Sequence, residues 1–134
     1  MLKTVEQSVR FSAPAAELYD IYLDPVRHAA VTGAPVKISA KPGSKFTAFN
    51  GMLTGQMLYT IPGRQVVQRW RSCEFYDTDA DSILILTFVP VGNKSRIDMV
   101  HANVPKQDFK GVTEGWKKHY WQPLRKYLKQ HVAQ

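Results

Sequence analysis

Four histidines (His28, His101, His119 and His131) and one cysteine (Cys73) are the side chains best suited to acid–base, metal or nucleophilic chemistry in this sequence. Their spacing narrows the choice. The histidines lie far apart and lack the i, i+4 or Cys-x-x-Cys spacing of a zinc site, so no metal site is expected. Cys73 has no histidine as a sequence neighbour to activate it. At the end of a strand it reads as a buried, inert thiol, so no catalytic residue is assigned and no disulfide can form within the chain. Pro42-Gly43-Ser44-Lys45 has neither the length nor the following helix of a phosphate loop. The Asp77-Thr78-Asp79-Ala80-Asp81 run lacks the central glycine and distal glutamate of a calcium loop and reads as a solvated turn. No cofactor is called for.

Two histidines keep a possible role because of their neighbours. His101 alternates with Ile97, Met99 and Asn103 on the inward face of a strand, where it can orient a ligand or act as a base, or bond a nearby backbone group as a core residue. His28 follows Pro25 and is expected at the mouth of a cavity. Met57, Tyr59, Trp70, Met99, Trp116 and Tyr120 are the candidate cavity walls, and the same set would serve equally as an aromatic core. An enzymatic alternative pairs His101 or Tyr59 with Arg69 or Asp98, but strand alternation sets Arg69 and Asp98 on the opposite face.

The elements that must position these residues follow from periodicity. Val5, Val9 and Phe11 alternate in a first strand; Ser12 is placed to cap a helix starting near Pro14, and Asp24-Pro25 opens a second, stopped by Gly33. Turn pairs from Pro42-Gly43 to Gly92-Asn93 then separate strands near 36–40, 44–50, 53–61, 64–73, 82–90 and 94–103. With no helix between them, these strands form an antiparallel meander. In the fourth strand Leu53, Gly55, Met57, Tyr59 and Ile61 share the inward face. The C-terminal helix places Trp116, Tyr120, Leu124, Tyr127 and Leu128 on one arc, and Pro123 is expected to kink it. Lys117, Lys118, Arg125, Lys126 and Lys129 are assigned to its basic outer face, which suits an acidic partner. The order is that of an α+β fold, a curved sheet of about seven strands around a long terminal helix, in one domain over residues 1–134.

Composition excludes several classes. Hydrophobic residues make up 44% and charged residues 22%, which is incompatible with a disordered chain. No apolar run approaches the ~18 residues of a membrane span. The first residues lack the apolar core of a signal peptide, so a cytoplasmic location is expected. The formal charge of +7 is scattered and comes without a groove-reading motif, so no nucleic-acid partner is expected.

Five local patterns occur in order along the chain. They are His28-Ala29-Ala30-Val31-Thr32-Gly33; Gly43-Ser44-Lys45-Phe46 with Phe49-Asn50-Gly51; Gly55; Val66-Val67-Gln68-Arg69-Trp70-Arg71; and His101-Ala102-Asn103-Val104-Pro105 with Gly115-Trp116 and Tyr120-Trp121. Together they resemble the activator of Hsp90 ATPase homologue (AHSA-type) family of the SRPBCC, or START-like, helix-grip superfamily. Ser44 and Met52 depart from the family pattern at turn positions, where a second glycine and an aromatic are common. The resemblance implies a Bet v-like helix-grip fold, a small hydrophobic ligand between sheet and helix and, as an alternative, contact with an Hsp90-type chaperone. A monomer or weak dimer is expected.

Overall fold

The computed structural model describes residues 1–131. Strand β1 (Leu2–Phe11) leads into helices α1 (Ala15–Leu23) and α2 (Pro25–Thr32), followed by β2 (Val36–Lys37), β3 (Lys45–Ala48), β4 (Leu53–Ile61), β5 (Gln65–Ser72), β6 (Ser82–Val91) and β7 (Lys94–Pro105). A 3-10 turn (Lys106–Asp108) then enters a long helix made of α3 (Phe109–Trp116), a π segment (Lys117–Trp121) and α4 (Gln122–His131). The strands form one antiparallel sheet in the order β1-β7-β6-β5-β4-β3-β2. The chain's first strand thus pairs with its last, and α1 and α2 carry it from that edge to the far one.

Local chemistry explains the helix ends. Asp24 accepts hydrogen bonds from the N–H groups of Val26 and Arg27, Pro25 occupies the first helical position, and Gly33 closes α2 at φ 77°. Ser12 does not cap α1; the capping position is Pro14, which makes no side-chain bond.

Two bulges correct the sequence-based strand faces. Between Met57 and Tyr59, β4 advances two residues while β5 advances one, from Gln68 to Val67. The extra residue flips every later side chain, so Tyr59 (49% exposed) and Ile61 (39%) face solvent rather than the core. Tyr59 is therefore not a wall of any interior cavity. In β7, Asn103 sits at φ 62°, exposed, and Val104 takes the buried place beyond His101. Extended alternation, which holds only while the ladder is unbroken, had set Asn103 inward.

The terminal helix buries Trp116, Tyr120, Leu124, Tyr127 and Leu128 against the sheet, as its periodicity implies, and also Trp121. On a regular α-helical wheel Trp121 would lie 140° from Trp116, but the helix is not regular here. The Gln122 N–H bonds the Lys117 carbonyl five residues back, and Trp116 and Trp121 stack with centroids 5.3 Å apart, a pairing that π geometry allows. Pro123, which has no N–H to give to the preceding turn, follows directly, so the distortion expected from it takes the form of a π turn. The Trp121 indole then donates to Gln7 on β1 at 2.6 Å, and Gln7 donates to the Thr113 carbonyl at 3.0 Å.

Candidate functional site: an aromatic pocket under the terminal helix

A pocket of about 360 Å³ opens where α3 and the π turn pass over the ends of β4 and β5. Trp70, Trp116 and Tyr120, all named from sequence, line it together with Phe49, Leu53 and Val112. The β3–β4 turn supplies one side: Phe49 and Asn50 both take positive φ (52° and 56°) ahead of Gly51, a conformation that is strained for a bulky residue. That turn holds the Phe49 ring against the helix, 5.5 Å from His119 and 6.0 Å from Tyr120. Gly111 and Gly115, one turn apart on α3, keep the roof thin. A Cβ on Gly115 would meet only the His119 ring, at 3.9 Å.

The other side chains named from sequence stand elsewhere. Met57, Met99 and His101 are fully buried and do not line the pocket. His101 belongs to a directed chain of hydrogen bonds. Ser82 spends its one hydroxyl proton on the Trp70 carbonyl (2.8 Å), so His101 Nε2–H donates to Ser82 Oγ (2.8 Å). The Trp116 indole N–H, which can only donate, occupies His101 Nδ1 at 3.1 Å. Both ring nitrogens are used, and burial pulls the His101 pKa down to about 3. His101 is thus the satisfied core histidine of the two readings. Arg69 bonds Gln56 on the outer face and Asp98 bonds Arg96 and Ser8, so neither meets it.

His28 is not at a cavity mouth. It is 3% exposed, donates from Nδ1 to the Tyr22 carbonyl at 2.7 Å and accepts the Tyr120 hydroxyl at Nε2, 3.0 Å away. Its position differs from expectation because its ring packs between Tyr22 of α1 and Tyr120 of the terminal helix, with centroids 4.8 and 5.4 Å away. Burial pulls its pKa down to about 4, outweighing the Tyr22 hydrogen bond. It borders a hollow of only about 20 Å³.

Cys73 is exposed and lines the pocket rim, not buried as its strand-end position implied, because β5 ends at Ser72. The aspartate-rich turn is tied down by Arg71, which donates to the Asp81 carboxylate and to the carbonyls of Asp79 and Tyr76, as a solvated turn requires. The pocket residues that periodicity missed come mainly from turns and from the glycine pair. The Phe49-Asn50-Gly51 turn and the Gly111 to Gly115 spacing were the available signals. Lys117, Lys118, Arg125, Lys126 and Lys129 are all exposed, with Arg125 donating to the Arg10 carbonyl and lying over Phe11.

Among known proteins, the chain is 28% identical to an uncharacterized protein of Schizosaccharomyces pombe over 121 residues, 90% of this chain and 36% of that protein. It is 24% identical to the human activator of 90 kDa heat shock protein ATPase homolog 1 over 115 residues, covering 86% of this chain and 34% of that protein. It therefore spans about a third of the length of the curated relatives it matches. An Hsp90 activator from Plasmodium falciparum shares the fold at a TM-score of 0.86 and 19% identity, with 94% of this chain and 96% of that chain covered. A Mesorhizobium loti protein does so at 0.83 and 18%, covering 96% and 98%. The seven-stranded sheet gripping a terminal helix is thus a helix-grip fold, and the family model described as Activator of Hsp90 ATPase homolog 1-like protein matches residues 12–129. With most of the chain inside that match, the chain belongs to this family.

Proposed function

We propose that this chain is a non-catalytic binding module that holds a small hydrophobic molecule between the sheet and the terminal helix. One observation carries the reading: a pocket of about 360 Å³ with aromatic walls, a volume typical of small-molecule sites. The non-catalytic part is supported by His101, whose nitrogens are both engaged away from the pocket.

Gly115→Leu tests it. The new side chain enters open space, so the protein is expected to fold while losing the pocket. Titration of apolar aromatic and lipid-like compounds, followed by tryptophan fluorescence, should saturate in the micromolar range for the parent. Binding should weaken at least about tenfold, roughly 1.4 kcal/mol, in the variant. Saturation that requires millimolar ligand, or equal binding by both proteins, removes the reading.

A second reading is modulation of an Hsp90-type chaperone ATPase. The family, the relatives named as Hsp90 activators, and the exposed basic face at Lys117, Lys118, Lys126 and Lys129 favour it. Capture of the host's chaperone at low salt, lost at high salt and in a Lys126→Glu/Lys129→Glu variant, is the expected result. No capture at low ionic strength discards it.

A further inference from the structure

The aromatic pocket contains one polar group whose placement packing alone does not explain. Asp108 is 8% exposed and immediately precedes α3, where an aspartate ordinarily accepts hydrogen bonds from the first N–H groups of the helix. Capping needs extended backbone, but Asp108 is the last residue of a 3-10 turn and has φ −112° and ψ 7°. Its side chain makes no capping bond. It lies instead beside Gly111, so close that a Cβ there would sit 2.7 Å from Oδ1, and it lines the pocket. Burial raises its pKa, the Ser72 hydroxyl pulls it back by hydrogen bonding, and the Glu74 charge adds to the rise. The Ser72 oxygen also accepts the Glu74 N–H at 3.0 Å.

Charge distribution gives the second argument. The chain carries a formal +7, yet no lysine or arginine is among the described residues that line this pocket. Its ionisable lining is Asp108, Glu74, Cys73, Tyr120 and the rim residue His119. A buried carboxylate without a cation is costly, and a ligand that brings a positive donor removes that cost.

We propose that the pocket selects an amphiphilic amine, its apolar body packed against Trp70 and Trp116 and its ammonium group donating to the Asp108 carboxylate. This rests on the ligand-binding reading and specifies the ligand's chemical class. Glu74 at the rim steers the cation inward, and the faces of the two indoles favour a positive charge over a negative one.

Three probes of one shape separate the possibilities: naphthalen-2-ylmethylamine, naphthalen-2-ylmethanol and naphthalen-2-ylacetic acid, titrated by calorimetry near neutral pH. The amine is expected to bind at least about tenfold tighter than the alcohol, with the acid weakest, as suits a charge-assisted hydrogen bond. Asp108→Asn, which keeps the side chain's shape, should bring amine and alcohol within about twofold, and Glu74→Gln should reduce the ratio less. Equal affinities for amine and alcohol in the parent overturn the amine selection and leave the pocket reading intact. An undiminished amine preference in folded Asp108→Asn overturns the role of Asp108. Failure of all three probes to bind overturns the pocket reading as well. If Asp108→Asn does not fold, the parent's amine-to-alcohol ratio decides.

Discussion

Acidification from about pH 7.5 to about pH 5 is expected to remove about 4 kcal/mol of folding stability, before most carboxylates titrate. His28 and His101 are held neutral in the fold, with pKa values lowered from 6.5 to about 4 and about 3. Below pH 6.5 the unfolded chain takes up protons that the folded chain refuses, so stability falls as pH falls. The loss is about 1.4 kcal/mol per pH unit for each histidine, down to about pH 4 for His28 and about pH 3 for His101. By about pH 5 each has lost about 2 kcal/mol. The less depressed value belongs to His28, where the hydrogen bond to the Tyr22 carbonyl offsets part of the burial; at His101 burial acts alone. Urea denaturation at successive pH values measures the slope. Stability constant to within about 1 kcal/mol over this window would contradict the neutral assignments, and His101→Gln should halve the slope.

Gly55→Ala is the substitution expected to cost most for its size, about 3 kcal/mol or more. Gly55 lies in β4 opposite Trp70 and Phe46, and a Cβ there would fall 2.0 Å from the Arg69 carbonyl oxygen and 2.4 Å from the Phe46 ring. The ring could move, but the carbonyl belongs to the β4–β5 ladder, so strand separation is the remaining escape. That separation would also displace Trp70 and with it the pocket wall. The expected readout is a urea midpoint lowered by the equivalent of at least about 3 kcal/mol, together with changed tryptophan emission. A loss below about 1 kcal/mol would mean that the ladder yields more easily than its geometry implies.

Where side chains repeat without interruption, residue order carried the information. The alternation of Val5, Val9 and Phe11, the turn pairs between strands and the arc from Trp116 to Leu128 were enough to specify an antiparallel sheet closed by a terminal helix. Strand boundaries agree within about two residues from β4 onward, since a buried ladder tolerates few exceptions. The failures sit where one residue is added. The bulge after Met57 exposes Tyr59, the turn at Asn103 brings in Val104, and the π turn stacks Trp121 on Trp116. An inserted residue shifts every later side chain to another face, and no periodic rule announces it in advance.

The candidate site divides along the same line. Trp70, Trp116 and Tyr120 were identifiable as inward aromatics because strand and helix periods point them at one another. Whether they enclosed space or filled it depended on placements that periodicity does not give: Phe49 reaching the helix from a strained turn, Gly115 leaving the roof thin, and Asp108 lying against Gly111. The amino-acid order by itself determined the fold, which follows from local period, and pointed to its family through the five patterns that occur in order along the chain. The tertiary structure alone decided that His101 and His28 are bonded core groups and that the hollow carries a lone buried carboxylate, because both depend on which partners distant segments bring within hydrogen-bonding reach.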